Sequence, residues 1–269
     1  MIQTRGLTKS FRHPLFPWKV RVEAVKGLTL RIESGEVFGL LGPNGSGKST
    51  TIKLILGLNH PTSGEVSVFG RRPDDLFVKR RVGYLPEESY LYPFLNPEEI
   101  LDFYARLFEL GRKERRRRVE GLLEFVGLRE ERRRPIGEFS KGMQRRVALA
   151  QSLINDPEVV IMDEPTTGMD PIGIAEIKSL IRHLKEKRKT VVMCSHRLKD
   201  VEDVCDRVMI LYGGEEQASG VIEEIVPAGE GLEGFFLRVV KEAQEKNVPT
   251  SGVSATTGKG LEFLTEVRE

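Results

Sequence analysis

Apolar and polar positions along the chain repeat with two periods, and the changes of period divide it. Residues 20–25 and 28–32 alternate apolar with polar side chains, the period of a half-buried strand, and Ser34-Gly35 supplies a turn. Val37-Phe38-Gly39-Leu40-Leu41 is a short apolar run, and after a glycine-rich loop residues 50–56 read as helix. Residues 62–69 form a turn leading into another strand. The character changes at about Asn96. Pro97 stands at a first helical position with Glu98 and Glu99 in the first turn, and helical spacing continues through residues 119–126. Residues 88–155 are therefore expected to form a helical lobe inserted into an α/β core. Further on, residues 159–162, 190–194 and 208–212 are buried-strand runs, with the helix 174–181 between the first two. Strands alternating with helices predict a largely parallel sheet that binds its ligand at the strands' C-terminal ends. Past Pro227, the residues Leu232, Phe235, Phe236, Val239, Val240 and Ala243 share one helical face, the pattern of a helix docked on its own core.

Composition narrows the class. The chain has 269 residues, 30% charged and 39% hydrophobic, with a net charge of +2. That length supplies a sizeable core, and that charge gives no global argument for nucleic acid. No stretch approaches the roughly 20 apolar residues of a membrane span, and residues 1–5 show no signal-peptide pattern. Cys194 and Cys205 lack metal-ligand spacing and are expected as buried thiols in a reducing compartment. The run Arg112-Lys113-Glu114-Arg115-Arg116-Arg117-Arg118 has acids interleaved and no aromatics, which favours a solvated helix face over a nucleic-acid patch.

The chemistry is concentrated in residues 42–50, Gly42-Pro43-Asn44-Gly45-Ser46-Gly47-Lys48-Ser49-Thr50, lying between the strand 37–41 and a helix. Glycines allow successive backbone N–H groups to converge on one anion, and the helix N-terminus adds its unpaired donors. Lys48 can reach terminal phosphates and Ser49 can hold Mg²⁺, so the segment predicts a nucleoside triphosphate site. A second element, Val159-Val160-Ile161-Met162-Asp163-Glu164, is a buried strand ending in paired carboxylates. Asp163 would face Mg²⁺, and Glu164 would point toward the γ-phosphate, where a carboxylate can orient and polarise the attacking water. Between them, Phe139-Ser140-Lys141-Gly142-Met143-Gln144 opens a strongly helical run and forms a second helix N-terminus suited to an anion.

These elements, with Tyr84-Leu85-Pro86-Glu87 between the first loop and the 139–144 run and Gly168-Met169-Asp170 and Ser195-His196 after the paired carboxylates, occur in a characteristic order. Over residues 1 to about 228 the chain resembles the nucleotide-binding subunits of ATP-binding cassette (ABC) transporters, most closely those of ABC-2-type exporters. The resemblance implies an α/β fold: a P-loop NTPase core with a largely parallel sheet, an N-terminal antiparallel β subdomain and an inserted helical subdomain. Residues 229–269 would be an extension without assigned role. It implies ATP and Mg²⁺ as cofactors, with Ser49, Glu87 and Asp163 on the metal and Glu164, His196 and Lys48 as catalytic groups. It also implies a head-to-tail dimer, of two copies or with a paralogous cassette, in which Ser140, Gly142 and Gln144 meet the ATP held by the other subunit's residues 42–50. Asp170 would lie at that dimer interface. Two departures stand out: Glu87 occupies the usual glutamine position, and Lys141 and Met143 replace glycines often found there. Phe11 is the first choice to stack on adenine, with Trp18 in reserve, and either could instead pack in the core. The resemblance further implies a separate transmembrane permease, a place on the cytoplasmic face of the membrane, and export. Tyr90, Tyr92 and Phe94 would border the permease groove or pack locally. The competing class is a soluble ABC-type ATPase acting on nucleic acid or ribosomes. Such proteins usually carry two cassettes or a long coiled coil, and this chain has one cassette and no sustained heptads.

Overall fold

The computed structural model describes residues 1–11 and 22–246. Trp18 and the 253–261 segment lie outside the described residues. The chain begins with β1 (Ile2–Phe11), β2 (Val22–Leu28) and β3 (Arg31–Ile32), then β4 (Val37–Leu41), α1 (Lys48–Ile55), β5 (Ser63–Val68), α2 (Leu76–Lys79) and β6 (Val82–Leu85). The helical lobe follows, with α3 (Pro97–Leu107), α4 (Arg112–Phe125) and α5 (Lys141–Ser152). The chain then returns through β7 (Val159–Asp163), α6 (Pro171–Glu186), β8 (Thr190–Cys194), α7 (Leu198–Val204), β9 (Arg207–Tyr212) and β10 (Glu215–Val221). It finishes with α8 (Ile222–Ile225) and α9 (Gly231–Lys246).

Two sheets organise these elements. In the smaller one, β2, β3 and β5 all pair antiparallel with β1. In the larger, six strands run in the order β10-β9-β4-β8-β7-β6, with every pair from β9 to β6 parallel and β10 an antiparallel edge. The central parallel strands β4, β7 and β8 are buried along their whole length, as their unbroken apolar runs require. Along β7, Val160 and Met162 join the core beneath the helical lobe, while Val159 and Ile161 face the core beneath the small sheet.

The alternation over residues 28–32 predicts one strand, but the structure breaks it. Regular pairing with β1 lapses at residues 29–30, and Thr4 fastens the chain there. Leu30 N–H donates to Thr4 Oγ1 at 2.8 Å, and Thr4 N–H donates to Leu30 O at 2.8 Å. Only Arg31–Ile32 resumes pairing.

In the lobe, α3 starts as its sequence predicts. Asn96 Oδ1 accepts from Glu99 N–H at 2.9 Å, Glu99 Oε2 accepts from Asn96 N–H at 3.0 Å, and Pro97 follows the cap. Such a reciprocal cap is worth about 1 kcal/mol. The arginines of α4 bind within the lobe: Arg115 donates to Asp102 at 2.8 Å, while Arg117 and Arg118 both donate to Glu114. The two hydrogen bonds push the Glu114 carboxyl down to about 2. Helix α9 docks on the core as its apolar face predicts, burying Leu232, Phe235 and Ala243. Its first turn is held by the α7 residue Glu202, whose carboxylate accepts from Leu232 N–H at 2.9 Å. Among the described residues no helix is long and apolar enough to cross a membrane.

Candidate nucleotide site

Parallel strands aim their C-terminal ends at one rim of the sheet, and the chemistry-bearing loops leave from that rim. The 42–47 loop leaves β4, Glu87 follows β6, Glu164 follows β7, and His196 follows β8. Asn44, Lys48, Ser49, Glu87, Asp163, Glu164 and His196 line a single cavity of about 350 Å³.

The loop after β4 can form only with glycine at two positions. Gly42 has φ 154° and Gly47 has φ 105°. A Cβ at Gly42 would run into Ser46 Oγ and the Leu211 carbonyl, and one at Gly47 into the Ala24 carbonyl. Gly47 is also the N-cap of α1, and no side chain caps that helix, so its first N–H groups remain available to an anion. Lys48 is buried, and its ammonium donates to Gly42 O at 2.7 Å and Pro43 O at 3.1 Å. Thr51 anchors the turn through a 2.9 Å bond to Gly47 O. Ser46 is 2% exposed, and its hydroxyl is buried with no hydrogen-bond partner among the described residues.

Opposite the loop stand the acids. Glu164 sits at φ 49°, a left-handed conformation that costs an L-residue about 1–2 kcal/mol. Its N–H is tied to Cys194 O at 2.9 Å, and its Oε2 lies 2.8 Å from His196 Nδ1. His196 N–H and Thr167 Oγ1 approach the same oxygen at 3.4 Å. Asp163 is buried beside it. Burial pushes its carboxyl upward, Glu87 and Glu164 push it further, and the Lys48 charge and the Ser49 hydroxyl act in the opposite sense. Burial next to Asp163 raises the Tyr84 phenol to about 12. Cys194 and Cys205 are free, and burial raises both thiols.

Ser49, Glu87, Asp163 and the Asn44 amide offer an oxygen-rich donor set, the kind a hard cation takes. Among the described residues no three His, Cys, Asp or Glu side chains form a metal cluster on their own. The Glu87 and Asp163 carboxylates and the Ser49 hydroxyl suit Mg²⁺, which takes one or two carboxylates and completes its shell with phosphate oxygens and water.

The remaining sequence-predicted residues do not line this cavity. Ser140 is exposed and caps α5, accepting from Met143 N–H at 3.3 Å. Gly142 is half-buried, and an added Cβ there would meet Met169 at an ordinary contact distance of 3.7 Å. The Gln144 amide turns back on its own loop, donating to Phe139 O at 3.3 Å and Ile136 O at 3.4 Å. Asp170 caps α6 through a 2.7 Å bond from Gly173 N–H. Phe11 ends β1, 41% exposed, with the Lys9 ammonium 5.1 Å from its ring centre.

Two features of the site escape sequence reasoning. Arg145, 6% exposed, sends its guanidinium beneath the acids. Thr166 and Asp200, both buried, join the loop after Glu164 to α7 through a 2.9 Å hydrogen bond. The available signal for Arg145 is its place three and four residues before Ala148 and Leu149, on the apolar stripe of α5.

Residues 25–167 match the family model described as ABC transporter. The chain is 43% identical over 235 residues to an uncharacterized ABC transporter ATP-binding protein of Synechocystis sp., covering 87% of this chain and 66% of that one. It is 37% identical over 211 residues to the Nod factor export ATP-binding protein I of Burkholderia pseudomallei, covering 78% of this chain and 69% of the relative. The chain thus spans about two thirds of the length of these curated relatives. Among solved structures, it superposes on a dimeric ATP-binding cassette in a post-hydrolysis state bound to ADP and Pi. The TM-score there is 0.74 and the identity 27%, covering 82% of this chain and 99% of that one.

Proposed function

This chain belongs to the ABC transporter family of ATP-binding proteins, and on that footing we propose that it hydrolyses ATP as the motor subunit of a membrane exporter. The observation that carries the reading is the convergence of Lys48, Ser49, Glu87, Asp163, Glu164 and His196 on one cavity. Residues 42–50 would cradle the phosphates through backbone N–H groups, with Lys48 on the terminal ones. Ser49, Glu87 and Asp163 would hold Mg²⁺, which neutralises charge on the phosphate oxygens. Glu164 orients the attacking water and takes up its proton, and His196 both positions Glu164 and faces the γ-phosphate.

Some of the expected nucleotide contacts lie elsewhere. Ser140 and Gly142 do not line the chain's own cavity, which suits a role on the nucleotide of a second copy. A head-to-tail dimer would bring them onto the partner's ATP, with Asp170 at the interface and Phe11 against adenine. The dimeric state of the similar cassette supports that arrangement. ATP would hold the dimer closed, and product release would reopen it.

The separate permease finds support in the exposed aromatics of the loop after β6, Tyr90 at 85% and Phe94 at 75% exposure, with Tyr92 beside them. An apolar patch of this kind beside the catalytic loop suits a docking element on the cytoplasmic side. Export is the direction named for the Burkholderia relative. A gentle cross-linked pull-down from native membranes tests the assignment. A stoichiometric multi-spanning companion supports it, whereas a ribosomal, DNA-bound or wholly soluble companion overturns the exporter reading and leaves the ATPase chemistry standing.

A further inference from the structure

Arg145 lies in the second turn of α5, five residues after Ser140, and its guanidinium is the most heavily used donor among the described residues. Nε donates to Pro165 O at 3.2 Å. Nη1 donates to Pro86 O, to Glu87 O at 2.9 Å and to Ser89 Oγ at 3.3 Å. Nη2 donates to Asp163 O at 2.7 Å and Glu164 O at 2.8 Å. Every acceptor is neutral, and all but one are backbone carbonyls. The guanidinium thus holds Glu87, Asp163 and Glu164 by their main-chain carbonyls rather than by their carboxylates.

Burying a cation on neutral acceptors is costly, and Arg145 is 6% exposed. Structure alone has cheaper ways to fill such a space. What only an arginine provides is a flat fork of five N–H donors reaching two strands' ends from a third element. The segments it joins are the metal-ligand loop 86–89, the turn 163–165 carrying the acid that orients water, and the helix that begins at Ser140.

We infer that Arg145 is a positioning residue for hydrolysis, setting the main chain of Glu87 and Glu164 from the helix that carries Ser140. The inference rests on the proposed function, because it assigns those two acids their roles. When α5 moves, the fork carries both acids with it, so the state of the second anion-binding helix end is passed to the chain's own catalytic groups. Lysine keeps the charge but offers its three donors from a single nitrogen, which cannot bridge the two segments.

The test compares Arg145→Lys and Arg145→Gln with the unmodified chain. It reads kcat, the dissociation constant for ATP without turnover, the melting temperature, and amide hydrogen exchange over residues 86–89 and 164–167. Expected is a fall in kcat of about a hundredfold in both variants, the scale of a catalytic group misplaced by about 1 Å. The ATP dissociation constant stays within about threefold, since residues 42–50 are untouched. Exchange speeds up in the two segments and not in β4. If Arg145→Lys restores kcat, charge alone suffices and the fork role is overturned. If kcat falls only in step with ATP affinity or folded fraction, the residue is merely structural and the inference fails. Should Arg145→Gln not fold, Arg145→Lys decides alone. Absence of turnover in the unmodified chain would instead overturn the proposed function.

Discussion

His196 Nδ1 lies 2.8 Å from Glu164 Oε2, joining the residue beyond β8 to the one beyond β7. Two adjacent parallel strands therefore deliver a hydrogen-bonded pair to the rim of the sheet, one member in a strained backbone conformation that its neighbours hold in place. Strain of this kind persists only where surrounding contacts over-determine it, and here they orient one carboxylate. His196→Ala removes that contact and leaves the phosphate loop intact. The expected outcome is a loss of about a hundredfold in kcat with ATP affinity within a few-fold of normal, measured by steady-state turnover and nucleotide titration.

Asp163 is predicted to trade stability against function. Its carboxyl is pushed up by burial and by Glu87 and Glu164, so its charged form is disfavoured in the nucleotide-free fold. A raised folded value means that the stability contributed by Asp163 declines as pH climbs from the unfolded carboxylate range through the folded value. Asp163→Asn removes the charge. Thermal unfolding near neutral pH should show a higher melting temperature without nucleotide, alongside loss of Mg²⁺-dependent hydrolysis.

Glycines 47 and 121 should respond in opposite ways. At Gly47 a side chain meets the Ala24 carbonyl at a left-handed φ of 105°, so Gly47→Ala should abolish ATP binding and lower the melting temperature. Gly121 lies exposed inside α4 with open space around it, and Gly121→Ala should stabilise by about 0.5–1 kcal/mol with turnover unchanged. Denaturant unfolding of the two variants reads both effects.

Acid should weaken the helical lobe through Asp102. Burial acts to raise this carboxyl, but hydrogen bonds from Arg115 and Arg106 outweigh it and hold the group below its ordinary range. A depressed folded value gives stability that is present above the unfolded value of about 3.9 and lost as pH falls through the folded one. The melting temperatures of the unmodified chain and Asp102→Asn should therefore differ at pH 7 and converge as the solution is acidified below about pH 4. A gap that stayed constant would remove the ion pairs as its source.

Phe11→Ala is expected to weaken ATP binding by about tenfold, within the range found for one base stacked on an aromatic ring. The melting temperature should barely change, because the ring is 41% exposed. Titration with ATP and with inorganic triphosphate separates the adenine contribution: only the first should weaken.

The glycine-rich loop after β4, the acidic end of β7, the start of α3 at Pro97 and the helix opening at Ser140 were legible in the sequence because each depends on neighbours a few residues away. So was the docked face of α9, whose spacing shows Leu232, Phe235 and Ala243 on one side. The partners that fix these elements were not legible. Arg145 looks like half of a basic pair in a helix, and its acceptors lie about sixty residues upstream and twenty downstream. Nothing local announces that Glu202 caps α9, or that Thr4 would split the alternating segment at residues 29–30. The sequence places candidate groups in order, and the parallel sheet is what turns order into proximity.

The central claim is that the chain closes around ATP as a head-to-tail dimer, using Ser140 and Gly142 of one copy on the nucleotide of the other. The most direct measurement is the mass of Glu164→Gln in solution, by light scattering, with and without ATP and Mg²⁺, together with the bound nucleotide counted. Expected is a monomer that becomes a dimer holding two ATP molecules and turning over neither, and that returns to monomer when Ser140→Ala is added. A Glu164→Gln chain that binds ATP yet stays monomeric, or keeps hydrolysing it, would contradict the account.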